Sequence, residues 1–88
     1  MELLKEIEKS FPKIEKFFSN GDLSGFLKTP FDNLEKYNYG PGTMIRLKLL
    51  RPKSTLYHLF VRAGFADKDE MTVTIIEEFY NYAKNARV

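Results

Sequence analysis

The sequence contains no cysteine. Disulfides, thiolate chemistry and cysteine-built zinc sites are therefore excluded together. It also lacks long apolar runs, which stop at two to four residues. Spanning a bilayer takes roughly 20 consecutive apolar residues. Met1–Lys16 mixes apolar residues with Glu and Lys, so it offers no apolar core of a secretory leader. These absences point to a cytoplasmic location with no membrane partner. There is no internal repeat and no low-complexity stretch. Catalytic signatures are missing as well. No Gly-x-Ser-x-Gly elbow, no His-x-x-x-His pair and no Gly-Lys-Ser/Thr phosphate loop occurs, and His58 is the sole histidine.

What is present suits one small folded domain over residues 1–88. The chain carries 8 Phe and 5 Tyr, and each aromatic removes roughly 150–250 Å² from water when buried. That is enough apolar material for a core without covalent staples. The net charge is +2 but unevenly spread. Arg46, Lys48, Arg51, Lys53 and Arg62 fall within residues 43–62, where no acid occurs. The flanking stretches are nearly balanced.

Periodicity predicts an all-α chain of four or five short helices. In Glu2–Phe18 the apolar residues Leu3, Leu4, Ile7, Phe11, Ile14, Phe17 and Phe18 recur at helical spacing, interrupted by Pro12. This segment reads as one kinked helix or two short ones, with Ser10 capping the second. Asn20-Gly21-Asp22 ends it. Asp22 or Ser24 opens a short turn, and Thr29 caps a helix over Pro30–Tyr37. Asn38–Gly42 is the clearest break, and Thr43 is placed to cap the segment after it. Ser54 caps a helix over Leu56, Leu59, Phe60 and Ala63 that stops at Gly64. Asp67 and Glu70 form a capping-box pattern before Met71, Ile75, Phe79, Tyr82 and Ala83. Two segments are ambiguous. Ile45, Leu47 and Leu49 alternate with basic residues over 43–50, and Thr72, Val73 and Thr74 lower helix propensity over 71–76. Strands at 43–50 and 71–76 would make the fold α+β.

From Gly40 onward the order of motifs resembles an uncharacterised family of small bacterial helical domains. Gly40 and Gly42 are followed by Ile45-Arg46, then by Leu56, Phe60 and Gly64. Asp69-Glu70-Met71, Ile75-Ile76 and Phe79-Tyr80-x-Tyr82 complete the series. The match covers the last half of the chain. It implies a mainly helical fold with no assigned activity, and it favours helix over 43–50 and 71–76.

Individual residues have simple structural readings. His58 falls on the outer face of its helix with Thr55 and Arg62, where it is a solvated bystander unless a partner uses it. Ser54 stands four residues before His58, yet a nucleophile also needs an oriented base and an oxyanion hole. Capping explains Ser54 more simply. Asp67–Glu70 suits a helix N-terminus. Phe79, Tyr80 and Tyr82 cannot all face one core, so Tyr80 or Tyr82 is exposed and available as an interface anchor. The basic stretch is the one feature able to carry function. Arg46, Lys48, Arg51, Lys53 and Arg62, with Tyr57 and His58, form a candidate binding face for an anionic partner. Residues 43–63 also have a loose helix-turn-helix outline. The sequence thus favours a non-catalytic protein-binding or regulatory module without a cofactor. Nucleic-acid binding through residues 46–62 is the alternative.

Overall fold

The structure is a computed structural model that describes residues 2–18 and 22–86. Asn20 and Gly21, the expected stop of the first segment, lie outside the described residues. The described residues hold six α-helices and a 3₁₀ helix, with no strand: α1 (Glu2–Lys9), α2 (Phe11–Lys16), α3 (Asp22–Lys28), the 3₁₀ helix (Phe31–Asn38), α4 (Gly40–Lys48), α5 (Thr55–Arg62) and α6 (Lys68–Ala86). The all-α expectation holds, and both strand alternatives fail. The helices outnumber the expected four or five because Pro12 splits the first segment instead of kinking it.

The helix α6 organises the rest. Its 19 residues make a rod about 28 Å long at 1.5 Å per residue, close to the 33 Å long axis of the molecule. The 3₁₀ helix, α4, α3 and α1 all pack against it. Its buried residues Met71, Thr72, Ile75, Ile76, Phe79, Tyr80 and Ala83 form a stripe two residues wide. A stripe that broad is what a helix needs when neighbours flank it on two sides. The threonines that weakened the helix reading are accommodated locally. Thr72 Oγ1 donates to the Lys68 carbonyl at 2.7 Å, and Thr74 Oγ1 donates to the Glu70 carbonyl at 3.0 Å. Back-bonding of this kind satisfies a hydroxyl inside a helix, which fully buried Thr72 requires. Asp67 Oδ1 accepts from the Glu70 amide at 2.8 Å and so caps the helix as expected.

An aromatic cluster joins the N-terminal helices to α6. Phe79 stacks on Phe26 and Phe18 with centroids 5.9 and 5.7 Å away, and Phe11 approaches it at 5.7 Å. Tyr37 and Tyr80 meet Phe26 edge-on. Tyr80 is buried, and its hydroxyl donates to the Thr29 carbonyl at 2.6 Å. Tyr82 is the exposed tyrosine of the pair, with its ring 4.6 Å from Phe11.

Three local expectations are corrected. Ser10 does not cap α2; its hydroxyl donates back to the Glu6 carbonyl at 3.1 Å. Thr29 does not cap the following helix either. Its hydroxyl donates to the Gly25 carbonyl at 2.8 Å and lies 3.2 Å from the Tyr37 hydroxyl. The segment after it is 3₁₀, with Asn33 off helical geometry. Gly40-Pro41-Gly42 is the first turn of α4 rather than a break, and Thr43 sits inside the helix. Proline is tolerated in a first turn because its missing N–H would be unpaired there anyway. Gly42 is needed for a close approach. A Cβ there would lie 2.9 Å from the Tyr37 carbonyl oxygen and 3.2 Å from Thr72 Cγ2. The helix α5 begins and ends as its sequence predicts, with Ser54 as cap and Gly64 at φ +99° beyond it.

Candidate basic interface

The helix α4 delivers its basic residues in different directions. Arg46 is half-buried, and Nη2 donates to the Asn38 carbonyl at 2.8 Å and to Thr43 Oγ1 at 3.3 Å. Its Nη1 lies 3.6 Å from Asp69 Oδ1 at the start of α6. Arg46 therefore holds the end of the 3₁₀ helix and the start of α6 onto α4. Asp69 is 86% exposed, so the ion pair itself adds little.

Lys48, in the same last turn of α4, and Arg51, just past the end of the helix, are exposed. Arg51 Nε makes a long 3.4 Å hydrogen bond to the Leu47 carbonyl. Cations are favoured there because the last carbonyls of a helix concentrate partial negative charge. Here the chain forms a groove of about 350 Å³ lined by Lys13, Lys16, Phe17, Lys48, Leu49 and Arg51. Lys13 and Lys16 come from α2, and both fall in its last turn. The groove therefore has four cations, three from two helices and Arg51 from the turn after α4, and an apolar floor of Phe17 and buried Leu49. Its lining includes no carboxylate. Lys13 and Lys16 are absent from the sequence-based face. They read there only as the solvated side of an amphipathic helix, and their approach to Lys48 is tertiary.

The other residues of that face lie outside the groove lining. Lys53 is exposed in the turn between α4 and α5. Tyr57 is half-buried, and the Lys68 ammonium sits 5.6 Å from its ring centroid. His58 is exposed, edge-on to Tyr57 at 6.0 Å. Arg62 is exposed in the last turn of α5. The structure thus brings Lys48 and Arg51 together and commits Arg46 to the fold.

The Ser54–His58 spacing has a structural explanation. Ser54 Oγ accepts from the Tyr57 amide at 3.1 Å and donates to the Leu49 carbonyl at 2.9 Å. Its hydroxyl is committed to joining the end of α4 to the start of α5. Among the described residues, no group of three or more His, Asp or Glu side chains is placed to hold a metal ion. No buried side-chain nitrogen or oxygen among them lacks a hydrogen-bond partner. A second groove of about 320 Å³ runs between the 3₁₀ helix and α6. Asp32, Glu35 and Glu77 give it the opposite sign. No described helix is long and apolar enough to cross a membrane.

The family model described as "Domain of unknown function (DUF6794)" matches residues 5–83. The chain belongs to this family. The DUF6794 match extends well beyond the C-terminal half on which the sequence resemblance rested. It takes in α2 as well as α4, so all four groove cations fall inside it. The family is uncharacterised, as the resemblance implied. No curated protein and no solved structure matches the chain.

Proposed function

We propose that this DUF6794 domain is a non-catalytic binding module that engages a partner protein in the bacterial cytoplasm. The observation that carries the reading is the α2–α4 groove, where exposed cations from two helices border an apolar floor. Protein interfaces combine an apolar centre with a polar rim in this way. The non-catalytic part rests on Ser54, whose hydroxyl is held as a cap, and on His58, which faces solvent. The cytoplasmic part rests on the cysteine-free composition. A nucleic-acid track is less well supported. Arg46 is turned into the fold, and Tyr57 is paired with Lys68, which breaks the basic and aromatic residues of 46–62 into separate groups.

The test compares the intact domain with a Lys48→Glu/Arg51→Glu variant as bait in extracts of the host. The expected result is a protein recovered in stoichiometric amount by the intact domain and depleted about tenfold by the variant. Recovery of nucleic acid alone, or of the same proteins by both baits, overturns the reading.

A further inference from the structure

We infer that the α2–α4 groove receives a short acidic segment of the partner protein that places one apolar side chain between its carboxylates. This rests on the binding-module reading and specifies the chemistry of the ligand.

The arrangement of charge is the first argument. Lys13 and Lys16 are three residues apart in α2, a spacing that puts side chains on one helix face about 5–6 Å apart at Cβ. Lys48 and Arg51 approach from the end of α4. Four like charges around one depression repel one another, and an anionic ligand removes that repulsion. The side chains keep their charged heads in water while the free domain waits. Arg51 uses Nε on the Leu47 carbonyl, and its two Nη groups remain for a carboxylate in a planar, forked contact.

The floor is the second argument. Phe17 and Leu49 provide carbon surface rather than hydrogen-bonding groups. The volume of about 350 Å³ is near the lower bound for sites that enclose a whole small molecule. It suits one large apolar side chain entering from a peptide. A simple anion such as phosphate would satisfy the cations and leave this floor uncovered.

A peptide and a nucleic acid differ in the aromatic surface they need. Single strands are held by a basic track with exposed rings that stack successive bases. Phe17, the one aromatic in the lining, is half-buried as part of the floor. The four cations are clustered at one place, which matches a compact run of carboxylates better than an extended phosphate chain.

The experiment is a fluorescence-anisotropy titration of the whole domain with a labelled peptide of about ten residues carrying four carboxylates around a central phenylalanine. Three further probes accompany it: the same peptide with alanine at its centre, a version with lysines for the acids, and an oligothymidylate of equal charge. The acidic aromatic peptide is expected to bind in the micromolar range and more weakly as salt rises. Affinity is expected to fall about tenfold for the alanine peptide and for Lys48→Glu/Arg51→Glu. Lys13→Glu/Lys16→Glu, on the other helix, is expected to do the same. Circular dichroism of both variants should match that of the parent, with Tm lowered by only a few degrees because carboxylates at helix C-termini are mildly unfavourable. Equal binding by variants and parent overturns the inference, as does indifference to the central ring or tighter binding of the oligonucleotide. Should the groove variant lose its cellular partner while the acidic peptide fails to bind, the ligand chemistry is wrong and the module reading stands. Should the peptide bind while no partner is captured through the groove, the module reading fails by itself.

Discussion

Two faces of α4 make opposite uses of similar residues. On one, Gly42 lets the helix touch the Tyr37 carbonyl and Thr72, and Arg46, one turn on, spends its guanidinium on Asn38, Thr43 and Asp69. On another, Lys48 and, just past the helix, Arg51 stand in water around the groove shared with α2. One face is assembled from contacts that stabilise the fold. The other carries charge whose removal the fold would hardly register. A basic residue in this chain is therefore informative only once its hydrogen-bond partners are known.

Substitutions along α4 test this contrast. Gly42→Leu should have the largest effect, destabilising the domain by about 3 kcal/mol. The added atoms meet a backbone carbonyl that cannot step aside, and overpacking of this kind typically costs about 1–3 kcal/mol or more. Chemical denaturation would measure it, and an unchanged midpoint would mean that α4 and the 3₁₀ helix separate easily. Ser54→Ala should cost about 1 kcal/mol through loss of the α5 cap. Here the expected signature is a lower Tm with α5 amides exchanging faster. Arg46→Ala comes next, at or just below about 1 kcal/mol, because the hydrogen bond to the Asn38 carbonyl is lost from a half-buried site. Asp69→Asn should reproduce little of that loss, since the exposed ion pair contributes least. Lys48→Ala should be smallest, within about 0.5 kcal/mol of the parent. A thermal melt showing Lys48→Ala to be as damaging as Arg46→Ala would erase the distinction between the two faces.

The sequence shows this contrast in part. Helix α5 is legible because Ser54 and Gly64 signal both its ends, and α6 because Asp67 and Glu70 signal its start. The start of α4 is not. Gly40-Pro41-Gly42 carries every local mark of a turn, and the close approach of Tyr37 and Thr72 that calls for a glycine at 42 is visible only in the fold. The 3₁₀ geometry of Phe31–Asn38 is hidden for a related reason. Thr29 is drawn off to Gly25 and Tyr37, so the capping role its position suggests is never filled. In the candidate site, Lys48 and Arg51 stand out as part of an acid-free stretch. Lys13 and Lys16 sit among glutamates, and nothing local announces that α2 will meet the end of α4. Local composition identifies half of the groove, and the packing of distant helices supplies the rest.

The hydrogen bond from Tyr80 to the Thr29 carbonyl joins residues 51 positions apart. Contacts of that separation form only after a long loop has closed, whereas each short helix here can begin from its neighbours alone. The order of events in folding is then set by α6. The preceding helices acquire their docking surface when it arrives, and this hydrogen bond closes late. Interactions made late leave the folding rate almost unchanged and slow the reverse step instead. The Tyr80 hydroxyl is thus a brake on unfolding: its loss would shorten the lifetime of the native domain with little effect on the time taken to reach it.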